Sequence, residues 1–197
     1  MGGRLGVVLA AGAGRRMGTP KALLRTQEGE PWVALAARRL AEGGCSDVLV
    51  VLGAAAEAAA ACLPPEVSTT VATRWADGLG ESLAAGIRAA KAHPGRPDVL
   101  VIHLVDAPGI TVDAIRRTVE RAGDDLAALA RATYGGVAGH PVVIGRAHWN
   151  GVLATTNGDQ GAGTYLMKHG CVTVECGDLA DGRDVDTPEE LHPRAQR

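Results

Sequence analysis

Apolar residues fall into two alternating kinds of run along this chain. The first is short and nearly continuous: Leu5–Leu9, Asp47–Leu52, Val67–Ala72 and Asp98–Val105. Such runs, rich in Val, Leu and Ile, predict strands buried on both faces. The second kind spaces its apolar positions three and four apart. Trp32–Ala41, Ala54–Cys62, Leu83–Ala92 and Thr111–Ala122 carry it and predict helices. Gly43-Gly44 stops the first helix, Pro64-Pro65 ends the second, and Thr111 caps the fourth. Strands that alternate with helices from residue 5 to 122 imply a parallel sheet with helices on both faces. Asp98–Val105 is the most apolar run, so it belongs in the middle of the sheet.

The pattern then changes. Leu126–Ala132 and Pro141–Ile144 predict strands joined across Tyr134–Gly139, a small antiparallel flap. Arg146–Ala154 and Thr164–His169 read as helices separated by a polar loop, and Val172–Glu175 reads as a last strand. Thr187 is placed to cap a final helix that has Pro188 at its first position. His192–Arg197 is expected to fray. A chain of 197 residues suits one domain, taken as 1–197, large enough to fold without staples.

Composition narrows the core and the partners. Phe is absent and aromatics make up 3%, so the core must be built from Val, Leu, Ile and Ala. A net charge of −2 gives no nucleic-acid footprint over the surface. No apolar run reaches the length of a membrane span, and Met1-Gly2-Gly3-Arg4-Leu5 opens no secretory signal. The four cysteines, at 45, 62, 171 and 176, form no Cys-x-x-Cys pair, so a zinc site has no support. Free thiols of a cytoplasmic protein are the expectation.

The chemistry-bearing residues lie where the predicted strands end. After Leu5–Leu9 comes Ala10-Ala11-Gly12-Ala13-Gly14-Arg15-Arg16-Met17-Gly18-Thr19-Pro20-Lys21. Small residues let peptide N–H groups approach an anion, and Arg15, Arg16 and Lys21 add three positive charges within seven residues. A triphosphate asks for that combination. This is no P-loop, because Lys21 is followed by Ala22 and no hydroxyl stands beside it for magnesium. Nor is it a dinucleotide fingerprint: Met17 occupies the third glycine's place, and the second strand ends in Gly53-Ala54 with no acid. Asp106 closes the central strand, and Asp184-Val185-Asp186 precedes the final helix. Asp106 reads either as a magnesium ligand or as a turn residue, and Asp186 either as a second ligand or as a helix-start charge. Ligands of such sheets bind beyond the carboxyl ends of the strands, which draws the glycine loop, the 74–82 loop and Asp106 to one crevice.

The loop Leu-Ala-Ala-Gly-x-Gly-x-Arg-Met-Gly-x-Pro-Lys, residues 9–21, resembles the signature of the nucleotidyltransferases that share the molybdenum-cofactor guanylyltransferase fold. The resemblance runs from Leu9 to Leu191. It implies a three-layer αβα, Rossmann-like, mostly parallel sheet of the nucleotide-diphospho-sugar transferase type. It also implies that Asp106 and Asp186 hold Mg2+, and that Leu9, Ala10, Ala11, Gly12, Gly14, Arg16 and Lys21 bind the nucleotide. Trp75-x-x-Gly78-x-Gly80-Glu81-Ser82 resembles the segment lining the base, with Glu81 where the family more often has serine. Gly80 and Ser82 are the contacts carried over; Ser82 also reads as a helix cap, and the two roles coexist.

Gly139-His140-Pro141 and Gly158-Asp159-Gln160-Gly161-Ala162 look like the acceptor motifs of molybdenum cofactor cytidylyltransferases. They nominate His140, Pro141, Gly158, Asp159 and Gly161 for the acceptor side; Gly163 replaces that motif's arginine. Ala11 stands where guanylyl-transferring members usually carry a second glycine, which favours CTP over GTP. The implied reaction passes CMP from CTP to a phosphorylated, molybdopterin-type acceptor and releases pyrophosphate, with a molybdoenzyme as a possible recipient of the product. Arg16, Lys21, Asp106 and Asp186 would carry it. A guanylyltransferase, a sugar- or alcohol-phosphate nucleotidyltransferase and a non-catalytic cofactor chaperone stay open beside it. His103, inside the central strand, reads as a core histidine with its hydrogen bonds satisfied.

Overall fold

The structure is a computed structural model, and it describes residues 3–191. The expectation for His192–Arg197 falls outside the described residues. Seven strands form one sheet among them: β1 (Arg4–Ala10), β2 (Asp47–Leu52), β3 (Ser68–Val71), β4 (Val99–Leu104), β5 (Leu129–Tyr134), β6 (Val137–Gly145) and β7 (Val172–Glu175). Their spatial order is β3-β2-β1-β4-β6-β5-β7. β1 to β4 are parallel, and β6 runs antiparallel to both β4 and β5. β7 restores the parallel direction beside β5. The expected antiparallel pair is therefore present, and it extends the main sheet: Leu100 of β4 pairs with Ile144 of β6.

Strand alternation divides the core in two. From β1, Val8 and Ala10 enter one layer, and Leu5, Val7 and Leu9 the other. The first layer is closed by α1 (Trp32–Glu42), α2 (Ala56–Ala60) and α4 (Val112–Ala122). It contains Trp32, Leu40, Ile110 and Ile115, all buried. The second is closed by α3 (Leu79–Ala92), α5 (Trp149–Thr155) and α6 (Gly163–Lys168). Leu83, Ile87, Trp149 and Leu166 fill it. Trp149 Nε1 donates to the Ile144 carbonyl at 3.0 Å, so the largest core side chain leaves no polar atom unpaired. The Thr111 hydroxyl accepts from the Ala114 amide at 3.2 Å and caps α4.

Element bounds shift where local chemistry outweighs the apolar pattern. α3 begins at Leu79, four residues earlier than the periodicity predicts, because Gly78 (φ 121°) turns the chain directly into it. Ser82 thereby falls inside the first turn and caps nothing. α2 shrinks to Ala56–Ala60. Arg146–His148 is a 3-10 turn leading into α5. The final helix, α7 (Pro188–Leu191), starts as expected at Pro188, and Glu190 reaches back to the Thr187 amide at 3.1 Å. All four cysteines are free thiols.

One expectation fails in the core. His103 is buried as expected, at 1% exposure, but its Nδ1 has no hydrogen-bond partner. β4 lies between two apolar core layers, which offer Nδ1 no partner. Burial, with weaker contributions from His140 and Arg39, pushes its pKa down to about 3.

Candidate active site

The chain crosses from the β3 edge back to the far side of β1 to enter β4, which makes the gap between the carboxyl ends of β1 and β4 a topological switch point. A cleft of about 570 Å³ lies there. Its floor is the loop that follows β1. Gly14 (φ +60°) turns this loop, and a Cβ on it would lie 1.8 Å from the Thr19 carbonyl oxygen. The loop therefore closes only with glycine at 14. Gly12 differs: a Cβ there would meet nothing within 4 Å, and it lines the cleft. Nothing in the fold requires a bare backbone at 12, so its use lies toward whatever fills the cleft.

Pro20 ends the loop, and Lys21 opens a 3-10 turn, Lys21–Leu23, that aims its side chain back across the cleft. Lys21 Nζ donates to Asp186 Oδ1 at 2.5 Å and to Asp106 Oδ2 at 3.1 Å. Arg16 reaches Asp186 Oδ2 at 3.2 Å from an exposed position. Burial by itself would depress the lysine, but its hydrogen bond to Asp186 and the charge of Asp106 prevail and raise its pKa. The Lys21 hydrogen bond holds the Asp186 carboxyl below the usual carboxylate range. The Val185 amide donates to the Asp106 backbone carbonyl at 2.8 Å. That bond fastens the 184–186 segment to the end of β4, although 80 residues separate Asp106 from Asp186.

The same fastening brings in a third carboxylate. Asp184 lines the cleft, and burial, with Asp106 and Asp186 close by, raises its pKa to about 6. Sequence reading used Asp184 only as part of a motif; its signal was the spacing Asp184-x-Asp186, which puts both aspartates on one short extended segment. Three carboxylates thus face one partly buried ammonium and one exposed guanidinium, and Asp106 Oδ1 is buried without a partner. Hard oxygen donors with a negative surplus fit a divalent cation such as magnesium. Among the described residues no three or more His, Cys, Asp or Glu side chains gather into a ready-made metal cluster. A cation here would take Asp106 and Asp186 and complete its shell with water and phosphate oxygens, as magnesium commonly does.

The other nominated residues divide. Leu9, Ala11, Gly12, Gly14 and Ser82 line the cleft, while the Ala10 side chain points into the opposite core layer. Gly80 is buried behind the wall: its amide donates to the Gly158 carbonyl at 2.8 Å. A Cβ at Gly80 or Gly78 would strike the 157–160 loop. Gly158 (φ +53°) is thus a bracing residue, with its carbonyl engaged, and Asp159 is the member of that loop that faces the cleft. His140 and Gly161 line a neighbouring pocket, and Pro141 follows a cis peptide bond at His140. Glu81 points away and lies 3.7 Å from Arg74.

Comparison with known proteins decides the family. The model described as MobA-like NTP transferase domain matches residues 6–173. The chain belongs to the MobA-like NTP transferase family. A nicotine blue oxidoreductase of Paenarthrobacter nicotinovorans is 36% identical, over 95% of this chain and 94% of that protein. The purine catabolism protein PucB of Bacillus subtilis is 29% identical, over 94% of this chain and 93% of its own. The crystal structure of Rv0371c from Mycobacterium tuberculosis superposes with a TM-score of 0.76 at 27% identity, covering 96% of this chain and 95% of that one. A structure of that Mycobacterium protein in complex with manganese superposes with a TM-score of 0.71 at 26% identity, covering 95% of each chain. Both fold class and family thus agree with the resemblance drawn from residues 9–21.

Proposed function

We propose that this member of the family transfers CMP from CTP to a molybdopterin-type phosphorylated acceptor, with Mg2+, and releases pyrophosphate. The observation that carries the reading is the convergence of a bare glycine loop, Lys21, Arg16, Asp106 and Asp186 on one cleft. An oxygen of the acceptor phosphate forms a bond to the α-phosphorus. The bond from that phosphorus to the bridging oxygen breaks, and pyrophosphate leaves with the electron pair. The attacking phosphate is already an anion at neutral pH, so no side chain has to remove a proton from it. The protein's work is to align and to balance charge. Loop amides around Gly12 and Gly14 receive the triphosphate, and Lys21 and Arg16 meet the charge that grows on the leaving group. Asp106 and Asp186 would hold the magnesium ion, which supplies further charge neutralisation at the phosphates when bound.

Ala11 supports CTP over GTP. It is buried at 3%, its carbonyl accepts from the Ala54 amide at 3.1 Å, and its methyl group stands beside Gly53. A methyl fixed there narrows the space available to a base. Four free thiols agree with a cytoplasmic protein, and a molybdoenzyme is the natural recipient of the product. The test is pyrophosphate release from CTP, GTP, ATP and UTP with molybdopterin and magnesium, with and without chelator. Release with CTP alone, abolished by chelator, is the expected result; release with GTP instead overturns the base assignment.

A second reading is favoured by the 36%-identical relative, whose name is that of an oxidoreductase. Under it, the chain would reduce an organic acceptor instead of transferring a nucleotide. Oxidation of NADH or NADPH in the presence of such an acceptor, without pyrophosphate release from any nucleotide, would select it.

A further inference from the structure

A second pocket, of about 190 Å³, adjoins the cleft and shares Leu9, Leu79 and Leu104 with it. Its walls are aliphatic, formed by residues such as Leu83, Ile102 and Leu166. Its charged lining residue is Arg131, from β5, and His140 stands beside it on β6.

Arg131 is unlike the arginines that brace the surface. Arg4, Arg38, Arg74, Arg116, Arg117 and Arg146 each have an aspartate or glutamate partner. Arg131 has no carboxylate partner among the described residues. Its Nε is buried without a hydrogen-bond partner, and Nη2 makes one long contact, 3.5 Å, to the Gly139 carbonyl. A buried guanidinium nitrogen left without an acceptor is destabilising on its own account. An oxygen-bearing group entering the pocket would remove that imbalance. His140 cannot supply it: burial, together with the Arg131 charge, pushes its pKa down to about 4, so the ring is neutral.

We infer that Arg131 is a specificity-determining residue that reads the carbonyl edge of a planar heterocycle on the acceptor. The inference rests on the nucleotidyl-transfer reading and names the acceptor's other end. The pocket is smaller than the few hundred cubic ångströms of a whole ligand site, about 300 Å³ and upward. It holds one ring system, while the phosphate of the same molecule lies in the main cleft across Leu9 and Leu104. Aliphatic walls suit a flat ring. A guanidinium fork suits a ring carbonyl flanked by a ring nitrogen, two coplanar acceptors side by side.

The pocket also provides its own rescue. Gly163 lines it, a Cβ at 163 would meet nothing within 4 Å, and its backbone is not left-handed. An arginine placed there could supply a guanidinium from the opposite wall. The experiment compares wild type, Arg131→Met, Arg131→Lys and the double variant Arg131→Met with Gly163→Arg. Pterin is the probe, its binding is read by its own fluorescence, and CTP binding is measured in parallel by calorimetry. Arg131→Met is expected to weaken pterin at least about tenfold, the scale of a lost charged hydrogen bond, while CTP affinity is unchanged. Arg131→Lys, which keeps the charge without the fork, is expected to fall between, and Gly163→Arg to restore binding to the Met background.

Absence of pterin binding to wild type, or equal binding to Arg131→Met, overturns the inference. A parallel loss of CTP affinity also overturns it, because Arg131 would then belong to the nucleotide site. If Arg131→Met does not fold, unchanged pterin affinity in Arg131→Lys overturns it alone. These outcomes are separable from the reading beneath: Arg131-dependent pterin binding with no pyrophosphate release from any nucleotide would defeat the transferase reading and leave the pocket assignment standing.

Discussion

At the scale of single residues, Gly12 and Gly14 stand two positions apart in one loop and answer to different demands. Gly14 is needed by the chain itself, because its left-handed turn and the Thr19 carbonyl leave no room for a Cβ. Gly12 has open space around it and is free to change as far as folding is concerned. Gly12→Val is therefore expected to melt like the wild type while losing at least about tenfold in CTP affinity, a cost of roughly 1.4 kcal/mol; Gly14→Val is expected to lose stability as well. Calorimetry and thermal melting separate the two. Asp106→Asn removes half of a charge balance built on Lys21, and its turnover is expected to fall ~100-fold or more with little change in melting temperature. Full activity in Asp106→Asn would remove the metal assignment.

Legibility in the sequence also varied residue by residue. Asp106 was readable because it directly follows a predicted strand, and Lys21 because it closes the glycine loop that leaves another; strand ends meet in this architecture. Asp184 was harder, because its place depends on the Val185 amide bonding to the Asp106 carbonyl, a contact between distant segments. Arg131 gave no signal. In a strand that reads Leu-Ala-Arg-Ala-Thr-Tyr, an arginine looks like an ordinary outward-facing charge. Only the packing of β6 beside β4 reveals that it borders a pocket.

At the scale of elements, the turn between β5 and β6 depends on a single carboxylate. Glu175, at the end of β7, accepts from the Gly135, Gly136 and Gly177 amides at 2.8, 3.1 and 2.9 Å and from the Thr133 hydroxyl at 2.9 Å. These donors favour the ionised form and lower its pKa to about 2. A carboxylate with a lowered folded-state pKa stabilises above its unfolded value, and that contribution is lost as pH falls through the folded one. Glu175→Gln is thus expected to lower the melting temperature at neutral pH. The gap from wild type should shrink between pH about 4.5 and about 2; a gap independent of pH would mean the carboxylate charge is not what holds the turn.

The periodicity located almost every element but not its neighbours. Alternating runs identify strands and helices, yet whether β5 and β6 hang as a flap or extend the sheet depends on which edge β4 leaves open. No local pattern encodes that choice. The α3 start was missed for a narrower reason: Gly78-Leu79-Gly80 looks like loop, and glycines there serve the close approach of the 157–160 segment.

For the whole molecule, a buried histidine kept neutral contributes to the loss of stability in acid. His103 is fully buried with a pKa near 3, against about 6.5 for an exposed histidine. Below the unfolded value the unfolded chain takes up a proton that the folded one refuses, so stability falls as pH drops from about 6.5 toward 3. The expected slope from this one group is about 1.4 kcal/mol per pH unit within that window. Urea titrations at neutral and mildly acid pH measure it, and His103→Leu should flatten the acid side. An unchanged slope in that variant would assign the acid sensitivity elsewhere.

The hydrogen bond from Gly80 to Gly158, with the glycine contacts that pack around it, has a consequence for the history and engineering of the site. The wall assigned to the nucleotide and the loop assigned to the acceptor would thus be one mechanical piece, so that neither could be exchanged alone. Grafting residues 156–162 from a relative with another acceptor would carry a mismatch into the start of α3 and disturb the nucleotide side as well. A new acceptor preference is reached more readily through the pocket side chains, which can vary without moving that seam.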